Sequence, residues 1–207
     1  MSTHPEPSQH STPRPRTRMT RQDRFVQLLQ VAWQLVSEEG TDALTLGRLA
    51  EAAGITKPTV YEHFGTRNGL LAALYQDFES RQNHIIDEAI AAGEPTLQGK
   101  AQVIAASYIA CVLTEGREIP EVLAALSGSP ELASLRKACQ KSYIEKCRRV
   151  LAPFAGAAGL SQAALWAMLG AADSLAAVAV EGEISEQQAV DELYQVIVEM
   201  LRRQAQA

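Results

Sequence analysis

The sequence predicts an all-α protein: a three-helix module near the N-terminus, followed by a bundle of about six helices. Three observations carry this. Ala, Leu, Glu and Gln dominate the 207 residues, and the β-branched and aromatic residues that favour strands are scarce. Apolar residues recur at spacings of three and four along most of the chain. No strand-like alternation runs longer than four or five residues, and no internal repeat is present.

Residues 1–20 are rich in Pro, Ser, Thr, His and Arg and have no apolar period, which predicts a disordered arm. From Arg21 the pattern changes. Phe25, Leu28, Leu29, Ala32, Leu35 and Val36 mark one face of a first helix, closed by Gly40. Thr45 is placed to cap a short second helix with Leu46, Leu49, Ala50 and Ala53 inward. Gly54 makes a tight turn. Thr56 caps a third short helix, with Pro58 in its first turn, where backbone donors lack partners anyway. Val60 and Phe64 point inward from it. Gly65 and Thr66 break and recap the chain, and a long helix runs from Arg67 to about Ala92. It is expected to be roughly 39 Å long, with Leu70, Leu71, Leu74, Phe78, Ile85, Ala89 and Ile90 on its apolar side. Gly/Pro/Ser punctuation then divides helices at about 96–115, 120–127, 131–152, 161–181 and 186–203. These give an arm over 1–20, a helix-turn-helix domain over 21–67 and a larger domain over 68–207.

Charge is unevenly spread over a chain of net −5. Residues 1–70 hold eight Lys/Arg against seven Asp/Glu, and residues 71–207 hold eleven against seventeen. Arg14, Arg16, Arg18, Arg21 and Arg24 are opposed within residues 11–24 by Asp23 alone. A basic patch on an acidic body fits contact with a polyanion at one end. Two readings of the arm stand: a solvated polar tail, or a segment reaching into a minor groove. Cys111, Cys139 and Cys147 form no metal-ligand or Cys-x-x-Cys spacing, which points to a reducing cytoplasm. Cys139 and Cys147 lie about 12 Å apart along one helix, too far for a disulfide. The N-terminus has no secretory h-region. Ala163 to Val180 is alanine-rich and broken by Asp173, which reads as a buried bundle helix rather than a membrane span.

The segment from Leu44 to Leu70 carries the chemistry. Two short helices around a glycine turn make a helix-turn-helix, a pattern that many all-α proteins share. The surface residues of the third helix add to it. Lys57, Thr59, Tyr61 and His63 are donors that no core needs, and Arg67 opens the next helix. Cations and hydroxyls suit phosphate oxygens, as do the helix N-termini at Thr45, Thr56 and Thr66. A helix fits the major groove of B-DNA, where its first turn reads base edges.

The run Gly54-Ile55-Thr56-Lys57-Pro58-Thr59-Val60-Tyr61-Glu62-His63-Phe64, followed by Gly65-Thr66-Arg67-Asn68-Gly69-Leu70-Leu71, resembles the signature of the tetracycline-repressor family of bacterial regulators. The resemblance covers roughly residues 21–72. It implies a ligand-responsive repressor that binds a palindromic operator as a homodimer. Thr45, Tyr61, His63 and Arg67 would contact phosphates, and Lys57, Pro58 and Thr59 would face bases. Arg67 stands where lysine is usual, which keeps the charge. Gly47 stands where some members carry a base-reading arginine, which leaves Arg48 to the backbone.

In the larger domain Phe78, Tyr108, Cys111, Tyr143, Phe154, Trp166 and Met168 are candidates to line a cavity for a small apolar effector; simple core is the alternative for each. The last two helices, 161–181 and 186–203, are expected to dimerise. Small residues from Ala163 to Ala177 would meet Leu193, Ile197 and Met200 in a four-helix interface, against the alternative of burial within one chain. No cofactor, metal site, phosphate loop or nucleophile elbow is predicted. A helical enzyme finds no support in the motifs, and a protein–protein adaptor leaves the third-helix donors unexplained.

Overall fold

The computed structural model describes residues 19–114, 118–157 and 159–205. Among these the chain is all-helical, in the order α1 (Arg21–Glu39), α2 (Leu46–Ala52), α3 (Lys57–Phe64), α4 (Arg67–Ala92), α5 (Leu97–Thr114), α6 (Glu118–Leu126), α7 (Pro130–Leu151), a short 3-10 turn (Ala152–Phe154), α8 (Gln162–Val180) and α9 (Glu186–Ala205). The arginines at 14, 16 and 18 lie outside the described residues. Thr20, expected in the arm, instead caps α1: its Oγ accepts from the Asp23 amide at 3.0 Å, and the Asp23 carboxylate accepts from the Thr20 amide at 3.3 Å. This is a capping box, with both orphan donors satisfied.

Two apolar clusters organise the chain. The first joins Leu28, Ala32 and Leu35 of α1, Leu46 and Leu49 of α2, and Val60 and Phe64 of α3. It continues through Leu70, Leu74 and Phe78 of α4 and takes in Val122 and Leu126 of α6 and Leu132 of α7. The head is therefore not sealed at residue 67, because α6 and the start of α7 complete its core. The second cluster holds α5, α7, α8 and α9 together around Ile104, Ile109, Ile144, Leu165, Leu193 and Ile197. A polar clamp ties α1 to α4: Trp33 donates its indole N–H to Asp77 at 2.9 Å, Arg81 meets the same carboxylate at 3.0 Å, and the Arg81 guanidinium lies over the Trp33 ring.

Two expectations are corrected here. Ile85 is half exposed and Ile86 is buried in its place. The stripe of α4 runs Leu74, Phe78, Gln82, Ile86, because its neighbours change from the head to α5 and α7 partway along. Leu193, Ile197 and Met200, expected to meet a second copy, are buried within the chain against the second cluster. The exposed side of α9 carries Glu192, Gln195 and Glu199 instead.

Candidate nucleic-acid interface and cavity

The turn between α2 and α3 fixes the direction of α3. Gly54 takes φ +64°, its amide donates to Glu51 O at 3.2 Å, and the Ile55 amide donates to Ala50 O at 3.0 Å. That 5→2 and 6→1 pair is a Schellman motif, and its C″ residue, Ile55, packs on the head core. At the α3–α4 junction a Cβ on Gly69 would sit 2.0 Å from Phe64 O, so only glycine fits.

With Val60 and Phe64 buried, α3 turns Lys57, Pro58 and Tyr61 outward. Tyr61 is 54 % exposed, a large aromatic ring that the core does not use. Thr59 is half-buried, and its hydroxyl lies 3.0 Å from that of Thr56. Gly47 leaves room beside α3: the place its Cβ would occupy is 3.7 Å from the Lys57 Cε and Nζ. Lys57 thus lies across the start of α2, where a longer residue at 47 would displace it. Thr45 spends its hydroxyl on the Arg48 amide and Thr66 on the Gly69 amide, both at 3.0 Å.

Three expected contact residues have other partners. Arg67 Nε donates to Leu44 O at 2.9 Å and Nη2 to Thr41 O at 2.6 Å, so the guanidinium braces the α1–α2 loop. Arg48 forms a forked pair with Glu39, its Nε 3.1 Å from each carboxylate oxygen. That pairing lowers the Glu39 pKa and raises that of Arg48. His63 is half-buried, its ring 6.0 Å from Phe25 and 6.1 Å from Phe64. Burial, and then the nearby Arg21, hold its pKa below the usual 6.5 and keep it neutral at pH 7. Arg21 and Arg24, on the first turn of α1, thus bring positive charge to the same side as His63.

A cavity of about 240 Å³ opens where the two apolar clusters meet, between α4, α5, α6, α7 and α8. Phe78, Tyr108 and Tyr143 line it, as expected from the sequence. Cys111 lines a neighbouring hollow that shares Phe78 and Gln82. Trp166 and Met168 do not line the cavity: Lys137 covers the Trp166 ring at 3.7 Å, and Met168 is buried core. Phe154 packs on the second cluster. The polar lining, Glu79, Gln82, Arg136 and Asp173, escaped the sequence reading. The signal available was a polar residue on an apolar stripe, such as Gln82 between Phe78 and Ile86. Tyr108 donates to Asp173 at 2.5 Å, and Arg136 lies 3.7 Å from the same carboxylate. Burial drives the pKa of Tyr75, Tyr108 and Tyr143 upward, so each stays a protonated donor. Burial also pushes the Cys139 thiol to about 11 and the Cys147 thiol to about 12, far from thiolate reactivity at neutral pH.

Comparisons with known proteins agree with this geometry. The model of the family described as bacterial regulatory proteins, tetR family, matches residues 28–81. The HTH-type transcriptional regulator AcrR of Shigella flexneri is 32 % identical over 65 residues, a stretch that spans 31 % of this chain and 30 % of that protein. Two solved structures share the fold over most of their length. The fatty acid degradation regulator FadR from Bacillus halodurans has a TM-score of 0.71 at 18 % identity, covering 84 % of this chain and 94 % of its own. A TetR-like transcriptional regulator from Rhodococcus sp. RHA1 has a TM-score of 0.68 at 22 % identity, covering 89 % and 99 %. Motif, helix-turn-helix geometry and architecture converge: residues 28–81 match the tetR family of bacterial regulatory proteins, and the chain shares its fold with solved regulators of that type.

Proposed function

We propose that the chain is a ligand-responsive repressor acting in the cytoplasm as a homodimer on a palindromic operator. The observation that carries this is the outward face of α3, where Lys57, Pro58 and Tyr61 stand clear of a core that Val60 and Phe64 complete. Lys57 and Tyr61 would meet phosphate or base edges, Pro58 and Thr59 would face bases, and Thr45 and Thr56 would offer helix N-termini to phosphates. His63 would contribute as a neutral donor. Arg67 and Arg48 would act chiefly as braces, holding the loop and α2 in place.

Dimerisation through α8 is supported by its exposed side. Ala163, Ala167, Gly170, Ser174 and Ala177 are exposed at spacings of four and three, the seam of a close-packed helix pair. The most apolar 18-residue window of this helix has a mean hydropathy of 1.7 with 28 % of it buried, an apolar surface too large to leave wet. By length and composition α8 could also cross a membrane; its packing against α5 and α9 favours the dimer reading. A Cβ on Gly170 would meet nothing within 4 Å in one chain.

Effector coupling would run through α4 and α6. The first places Arg67 in the head and Phe78, Glu79 and Gln82 at the cavity. The second lends Pro120 and Leu123 to the cavity and Val122 and Leu126 to the head, while Glu121 accepts from the Thr41 amide at 3.2 Å. An occupant that prefers one setting of these helices changes the separation of two heads that must sit about 34 Å apart. The test is fluorescence anisotropy with the DNA upstream of the chain's own gene. K57A/Y61A should abolish binding with helicity and dimer mass intact, and unchanged binding would overturn the reading. Gly170→Leu should yield folded monomers by sedimentation if α8 is the interface.

A further inference from the structure

The cavity holds an unbalanced set of polar groups. Glu79 and Asp173 bring two carboxylates, and Arg136 brings one guanidinium, already directed at Asp173. The nearby Lys146 is spent elsewhere, 2.7 Å from Asp87 and donating to Asn83 O. Tyr108 donates its hydroxyl to Asp173, and Tyr75 lies on α4 one turn before Glu79. With all groups ionised, one negative charge is left over in a space walled by the rings of Tyr75, Phe78, Tyr108 and Tyr143. Burial raises the Glu79 pKa above its usual value, and Asp173 adds to the rise, outweighing the opposite pull of Arg136 and Lys146.

The second observation is independent of charge. Gln82 is 8 % exposed, lines the cavity, and its Nε2 is buried without a hydrogen-bond partner. A buried donor left unpaired is unfavourable unless something arrives to accept from it. Gln82 sits one turn along α4 from Glu79 and Phe78, so the free donor, the surplus carboxylate and an aromatic wall share one stretch of helix.

We propose that this cavity takes an amphipathic organic monocation, its charged nitrogen toward Glu79 and Asp173, its apolar body against the tyrosine and phenylalanine rings, and an ester, ether or carbonyl oxygen accepting from Gln82. Aromatic faces attract a desolvated cation, which adds to the carboxylates. An organic anion would find only Arg136, whose charge Asp173 already answers. The inference names the effector class for the ligand-responsive reading above and rests on it.

The test is calorimetric titration of the full chain with three related probes: procaine, a cation with an ester; ethyl 4-aminobenzoate, its neutral ester counterpart; and 4-aminobenzoate, an anion. Procaine should bind at least about tenfold more tightly than the neutral ester, and the anion should give no heat. E79Q should remove most of the preference for procaine over the neutral ester. D173N checks the second carboxylate, and circular dichroism confirms that each variant is folded. Q82L should weaken both esters alike, a change that loss of charge would not produce. Equal affinity for procaine and the neutral ester, an unchanged preference in E79Q and D173N, or no heat from procaine at millimolar concentration would each overturn the proposal. Anisotropy on operator DNA separates the two readings. Procaine that binds without releasing DNA leaves the site assignment standing and counts against effector control. Intact, procaine-insensitive DNA binding with no procaine heat counts against the site.

Discussion

The head and the body use the same polar residue types in opposite ways. In the head several polar side chains are committed internally. Arg67 holds the Leu44 and Thr41 carbonyls, Arg48 is forked onto Glu39, and Thr20, Thr45 and Thr66 cap helices. Lys57 and Tyr61 face outward. In the body the charged and polar groups of interest converge inward on a cavity, and the Gln82 amide nitrogen has no partner among the described residues. A surface that would meet a polyanion, as proposed for the head, can wait in water at little cost. A cavity must hold its groups partly unsatisfied until it is filled. The head should therefore respond to mutation mainly through scaffold stability, and the body through balance of charge and hydrogen bonds.

The sharpest way to break this contrast is Gly69→Ala. Its Cβ would fall 2.0 Å from the Phe64 carbonyl oxygen, so the α3–α4 junction must move. We expect a loss of more than about 3 kcal/mol by urea unfolding, with DNA binding lost alongside. Arg67→Ala comes next, at about 2–3 kcal/mol, because two carbonyls lose a charged donor. Arg67→Lys restores charge without the fork. Full recovery of both stability and DNA affinity in that variant would mark Arg67 as a phosphate contact rather than a brace.

In the body the sign should reverse. Gln82→Leu removes an unpaired buried donor, and the empty protein should gain about 1 kcal/mol. A loss of stability would mean that the amide has a partner. Glu79 predicts a pH dependence. Its carboxyl titrates above the unfolded value of 4.5 because burial disfavours the charge. The stability it confers is present below 4.5 and is lost as pH rises through the raised value. Glu79→Gln should flatten that decline in melting temperature. The smallest stability effect is expected at Glu39→Gln. The pair with Arg48 is exposed, so the melting temperature should hardly move. The freed guanidinium should instead steepen the salt dependence of DNA binding by about one unit of log–log slope.

Most of the head was legible because its signals are local. A cap, a Schellman glycine and a heptad-length apolar pattern lie within a few residues of what they determine, and α2, α3 and α4 begin within one residue of their expected starts. Tyr61 was legible as a surface residue once Val60 and Phe64 claimed the inward side. The body was legible as helices but not as a site. Phe78, Tyr108 and Tyr143 were found because aromatic rings are candidates anywhere in a bundle. Trp166 was a false candidate for the same reason. Glu79 and Asp173 lie 94 positions apart, and nothing near either one announces the other.

The order and type of the helices, the cap residues and the outward side of α3 are properties of short stretches of chain, and the sequence by itself determined them. Tertiary structure alone decided which arginines were already spoken for, that α6 would complete the core of the head, and that the apolar stripe of α9 would be buried within the chain while α8 kept a face open. It also decided which polar residues would meet in the cavity. The reason is physical: hydrogen-bond commitment and burial depend on neighbours brought close by packing, and packing joins residues whose separation along the chain carries no pattern.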